Sequence, residues 1–251
     1  IYSTARQIRE CVVECAAAIL ADGSVVSWGS HGYGGYDSVK EQLKSVHELS
    51  ATDTAFAAIR TDGSVVTWGN VTCGGESSRV QDQLRNVQQI QAGSTAFAAL
   101  LADGSVVAWG DQSSGGDFSN VESQLKNVGK IYASGSAFAA VLQDGSVVTW
   151  GDSERGGDCS EVQEGLRNVQ HIHATQGAFA AILADGSVRT WGSPNFGGDC
   201  SEVQHQLKNV EEIHATHAAF ACILADGSLI SWGDPGMGGV SSSVLSEVAF
   251  L

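Results

Sequence analysis

The chain has 251 residues, 43% of them hydrophobic and 16% charged, which is too apolar for a disordered polymer and too often interrupted by polar residues for a membrane span. Against 2 Pro stand 31 Gly, a sign of many tight turns and so of a β-rich fold, because Gly reaches positive φ at no steric cost. The 28 acidic and 13 basic residues leave a net charge of −15, a field that repels phosphate backbones and argues against direct contact with nucleic acid.

Ile1 stands in place of an initiator Met, as in a processed or excised chain, and no cationic stretch ahead of an apolar run marks a signal peptide. Membrane insertion is not expected. The organising feature is an internal repeat. The segment D-G-S-V-V-T-W-G and its variants recur with Trp28, Trp68, Trp109, Trp150, Trp191 and Trp232 in register, at a spacing of 40 once and then 41 four times. A Gly pair follows each Trp: Gly34-Gly35, Gly74-Gly75, Gly115-Gly116, Gly156-Gly157, Gly197-Gly198 and Gly238-Gly239. Six units use up the chain.

Within a unit the elements follow in a fixed order. Ile131 to Ser134 alternates as a short strand, and the first strand of the chain begins at Ile1 or at Ile8. Ala137 to Leu142 is a small-residue apolar run of strand length. Asp144-Gly145 is predicted as a two-residue type I′ hairpin turn leading into a third strand, Ser146 to Trp150. Val162, Leu166 and Val169 then fall at i, i+4 and i+7, which predicts one or two amphipathic helical turns linking one unit to the next. The last unit keeps its apolar run and Trp232 where a solenoid would need a polar cap, and Leu251 falls one period after Val210, where the first unit begins. The sequence therefore predicts an all-β, six-bladed β-propeller of about 41-residue repeats over 1–251 as a single domain, with three to four short antiparallel strands per blade.

The pattern I-x-A-x-x-x-x-x-A-A-I-L-x-D-G-S-V-V-x-W-G-x-x-x-x-G-G resembles the repeat of the regulator of chromosome condensation superfamily, with a repeat length nearest the β-lactamase inhibitor propeller. The chain departs from that pattern in having G-G where the family has G-Q. The family's A-G survives only at Ala92-Gly93, with Thr52, Ser134, Thr175 and Thr216 elsewhere, and members of the family have seven blades. The resemblance implies a non-catalytic protein-interaction scaffold that recognises its partner through loops on one face. It also implies two sharper alternatives, a guanine-nucleotide exchange factor for a small GTPase and a proteinaceous enzyme inhibitor.

The residues themselves offer few chemical candidates. Six Trp at one strand position are best read as structural packing between blades. The Asp of each D-G pair is what the turn prefers. In a six-fold ring Cys159 and Cys200 could bond only within about 6 Å of the axis, so the six Cys are expected to be reduced, which favours an intracellular setting. His173 and His214 are equivalent in register and His217 is near them; if their strand lined a channel they would offer a metal site and a metal-dependent enzyme, although a simple polar role accounts for them and no cofactor is expected. No G-x-S-x-G elbow, P-loop or H-E-x-x-H is present. Charge is what varies between units. Asp111, Asp117, Asp152, Asp158 and Asp199, with Glu161 and Glu202, form a predicted acidic rim, and residues 131–251 hold 14 acidic against 4 basic residues. The expected partner is another protein with a basic surface.

Overall fold

In β geometry the run Ala178–Leu183 sends Ala178, Ala180 and Ile182 to one side and Phe179, Ala181 and Leu183 to the other, and all six are buried. A strand apolar on both faces needs cover on both. The computed structural model, which describes residues 5–11, 15–29 and 36–239, makes each such run the middle strand of a three-stranded antiparallel sheet. Among the described residues 18 strands form six of these sheets, the all-β repeat architecture expected, with three strands per repeat and not four.

The chain divides into two compact units, 1–131 and 132–251. The first holds β1 (Ala5–Cys11), β2 (Cys15–Leu20) and β3 (Val25–Gly29), then β4 (Val46–Ala51), β5 (Ala55–Arg60) and β6 (Val65–Gly69), then β7 (Val87–Ala92), β8 (Ala96–Leu101) and β9 (Val106–Gly110). Each triplet is one sheet in sequence order. The strand β10 (Val128–Ala133) runs across the division and is ordered with β11 (Ala137–Leu142) and β12 (Val147–Gly151). The second unit continues with β13 (Val169–Ala174), β14 (Ala178–Leu183) and β15 (Val188–Gly192), then β16 (Val210–Ala215), β17 (Ala219–Leu224) and β18 (Leu229–Gly233). Ile8 lies within β1, opposite Ala18; Ile1, the Gly34-Gly35 pair and Leu251 fall outside the described residues.

The alternation explains how the sheets pack. In the second unit the small face Ala178, Ala180 and Val188 of one sheet receives the large face Phe220, Cys222, Ile230 and Trp232 of the next. The first unit repeats the scheme, with Ala55, Ala57 and Val65 against Phe97, Ala99, Val107 and Trp109. Small residues facing aromatic ones let the sheets close at native density. Across the strands Phe179 pairs with Trp191, and the rings stack at 5.3 Å between centroids. Trp191 Nε1 donates to the Gly156 carbonyl at 3.1 Å, and Trp109 and Trp232 are anchored in the same way to Gly74 and Gly197 of the preceding repeat, whereas the buried Trp68 Nε1 has no partner among the described residues. Gly156 has φ +103°, and a Cβ there would stand 2.6 Å from the Phe179 ring; the glycine is therefore required by close approach as well as by conformation.

Two local expectations are corrected. The D-G pair does not form a type I′ turn: Gly145 has φ +79° while Asp144 has none in the positive region, and the Gly145 N–H donates to the Leu142 carbonyl at 2.9 Å. That is a type I turn followed by a left-handed Gly, in which the aspartate's work is done by its side chain. Asp144 Oδ1 accepts from the Ser146 N–H at 2.9 Å and from its hydroxyl at 2.6 Å, which holds the carboxyl below the ordinary carboxylate range. The linker is also less helical than its periodicity predicts. In the fourth repeat it forms one 3-10 turn, Gln163–Gly165, and Val169 already begins a strand. The tight feature is Asn168, whose left-handed φ of +56° suits Asn better than most residues. Its carbonyl accepts from the Ala184 N–H, while the Val169 N–H donates to Gly145 in the preceding repeat.

Candidate interaction site

Each third strand ends in Trp-Gly, and in the second to sixth repeats the chain then makes a 3-10 turn that the sequence did not reveal: Val71–Cys73, Gln112–Ser114, Ser153–Arg155, Pro194–Phe196 and Pro235–Met237. The N-cap of most of these turns is a short polar side chain accepting a backbone N–H, and the C-cap is a left-handed Gly. Asp111 accepts from Ser114, Asp152 from Glu154 and Asp234 from Gly236. Hydroxyls tie the neighbouring loop to the turn. Thr175 Oγ1 donates to the Phe196 carbonyl at 2.8 Å, and Ser134, Thr52 and Thr216 make the equivalent contact with Arg155, Cys73 and Met237. The departures from A-G noted in the sequence are thus hydroxyls fixing this end of the sheets.

The predicted acidic residues belong to this end and to the segment that leaves it. Asp158 Oδ1 accepts from the Ser160 N–H and Asp199 Oδ1 from the Ser201 N–H, both at 2.8 Å, and Asp117 accepts from Ser119 at 2.9 Å. These bonds keep the Asp117 and Asp158 carboxyls below their ordinary range, and bonds from Ser113 chiefly do the same for Asp111. Each charge is therefore held in place by its own backbone. In the second unit Glu154, Asp158, Glu161 and Asp199 line one groove of about 860 Å³ between the fourth and fifth repeats. Glu202 is exposed outside its lining. In the first unit an equivalent groove of about 720 Å³ carries Glu76 and Asp82, and one of about 370 Å³ carries Glu76 beside Arg79; Asp111 and Asp117 line neither.

The acidic groove also holds one cation, Arg189. The sequence reading missed it, although the signal was available: the equivalent positions are Val26, Val66, Val107, Val148 and Ile230.

The remaining candidates are more dispersed. His214 is exposed, with Nε2 at 3.1 Å from Glu212 Oε1, and His217 lies 5.8 Å from the Phe196 ring. His173 is half-buried opposite Ala180. Among the described residues no group of three or more His, Cys, Asp and Glu is placed to hold a metal ion. Trp68, Trp109, Trp150, Trp191 and Trp232 are buried, whereas Trp28 is 52% exposed. All six cysteines are free. Burial raises the Cys159, Cys200 and Cys222 thiols, the last to about 11, so none of these three is an activated nucleophile. No helix among the described residues is long and apolar enough to cross a membrane.

Comparison with known proteins agrees with this repeat geometry. A family model of the Regulator of chromosome condensation (RCC1) repeat matches residues 87–115. No curated protein matches the chain by sequence. Prp20p from Saccharomyces cerevisiae is similar in structure, with 18% identity and a TM-score of 0.56 over 90% of this chain and 71% of that one. Human WBSCR16 gives 17% and 0.56 over 89% and 75%. The CRINKLY WD40 ectodomain of the Arabidopsis thaliana receptor kinase ACR4 gives 19% and 0.50 over 88% and 78%. At these identities the likeness is one of fold. The chain thus carries a repeat of the RCC1 kind at residues 87–115, and by its six three-stranded sheets and these neighbours its fold is of the β-propeller class.

Proposed function

We propose that the protein is a non-catalytic interaction scaffold that binds a basic protein partner through the 3-10-turn end of its second unit. The observation that carries this reading is the groove between the fourth and fifth repeats, lined by Glu154, Asp158, Glu161 and Asp199, of which Asp158 and Asp199 are held by the backbone N–H groups of Ser160 and Ser201. Charges held in place lose little entropy on binding, and a field of one sign raises the association rate of a complementary partner. A similar fold serves protein recognition elsewhere, since the Prp20p structure was described with its binding to Gsp1p and histones. The exchange-factor and inhibitor alternatives rest on the resemblance alone, and among the described residues no group of three or more His, Cys, Asp and Glu is placed to serve the metal-enzyme alternative.

The triple variant D158N/E161Q/D199N tests this reading. Asn keeps the oxygen that accepts the serine N–H and removes the charge, so the fold is expected to persist. A partner captured by the wild-type protein is expected to associate with the variant roughly 10-fold more slowly at low salt, with a weaker dependence on ionic strength. Unchanged association rates for every captured partner would refute it.

A further inference from the structure

Two departures from the repeat pattern meet in the acidic groove. Arg189 replaces an aliphatic residue found at that strand position in the other five repeats. Gly165 replaces a Gln, present as Gln42, Gln83, Gln124 and Gln206 in the repeats that can be aligned there. The two residues touch: a Cβ on Gly165 would stand 2.8 Å from Arg189 Nε and 3.4 Å from its Cδ. The missing side chain in one repeat is therefore the space occupied by the guanidinium of the next. A solvated surface arginine would need no such space.

Arg189 is half-buried in β15, directly opposite Ala181. Its Nη1 donates to the Val188 carbonyl at 2.9 Å, which uses one of five N–H donors. Among the described residues no carboxylate lies within ion-pair distance of it, although Asp158, Glu161, Asp199 and Glu154 line the same groove. The groove thus offers a fork of donors suited to a carboxylate, set among carboxylates suited to cations.

We propose that this groove binds a polypeptide segment in which one acidic side chain, seated on Arg189, is flanked by lysine or arginine residues that face the four carboxylates. The proposal rests on the reading of the protein as a scaffold for basic partners and adds the anionic residue that such a partner must carry. Arginine specifies that residue because a site built to hydrogen-bond a carboxylate is left with unpaired donors by its amide analogue.

The test uses the full chain and two end-blocked pentapeptides, each with two lysines on either side of a central residue that is glutamate in one and glutamine in the other. Binding is measured by calorimetry at low salt for the wild type and for Arg189→Val, which restores the aliphatic residue of the other repeats and is expected to fold. The wild type is expected to bind the glutamate peptide about 10-fold more tightly than the glutamine peptide, and Arg189→Val is expected to lose that preference. Equal affinity of the wild type for both peptides, or a preference kept by Arg189→Val, would overturn the role of Arg189 while leaving the acidic groove as a site for cationic partners. Binding of neither peptide would overturn both.

Discussion

Replacing Trp191 with Ala is expected to destabilise the second unit by about 3–5 kcal/mol, the usual cost of deleting a large buried aromatic, whereas Trp28→Ala is expected to cost less than about 1 kcal/mol. The two residues occupy the same position of the repeat and differ in surroundings. Trp191 is 4% exposed, is stacked on Phe179 and donates to the Gly156 carbonyl, so its removal opens a cavity between two sheets and leaves a buried acceptor without its donor. Trp28 is 52% exposed and has less contact to lose. Urea denaturation followed by circular dichroism measures both. Equal losses would show that the indole stabilises its own sheet alone and that packing between repeats contributes little.

Gly156→Ala is expected to cost about 2–4 kcal/mol, since left-handed backbone costs about 1–2 kcal/mol for a residue with a Cβ and crowding of a packed core adds about 1–3 kcal/mol. Gly238→Ala provides the control. Its φ of +101° matches the +103° of Gly156, yet a Cβ there meets nothing within 4 Å among the described residues, so only the conformational part is expected, about 1–2 kcal/mol. The difference between the two midpoints isolates the steric share. A pair of variants with the same stability would mean that the Phe179 ring moves aside freely and that the glycine serves conformation only.

The sequence revealed most where one residue type had one physical use. The A-F-A-A run was legible as a strand by its length and small apolar residues, its burial on both faces in the middle repeats being a finding of the structure, and Trp-Gly marked the end of the third strand in every repeat. It misled where a residue type serves two geometries. Asp-Gly suits a type I′ turn and also a type I turn followed by a left-handed Gly, and only the sign of φ at Asp144 separates them. The 3-10 turns were hidden because Val-Thr-Cys, Ser-Glu-Arg and Pro-Asn-Phe share no composition; what they share is a left-handed Gly at the end and, in most, a capping side chain at the start. The acidic residues were visible one by one, but their convergence needs two segments, 153–162 and 189–204, brought together by sheet packing. Arg189 was visible as an odd residue among aliphatic ones, and its meaning depends on Gly165, 24 positions away in the preceding repeat.

The polarity of the repeat decides where function can reside. At the end carrying the Asp-Gly-Ser turns, each carboxylate is occupied by its own Ser N–H and hydroxyl, as Asp185 is by Ser187 at 2.9 and 2.6 Å. At the opposite end Asp158 and Asp199 each hold one backbone N–H and face a groove. Hydrogen exchange of the second unit, with and without a captured partner, tests this polarity most directly. Slower exchange is expected within residues 152–161 and 193–204, with the turns at 143–146 and 184–187 unchanged. Protection confined to those turns would place the partner at the wrong end of the sheets and contradict the proposed site.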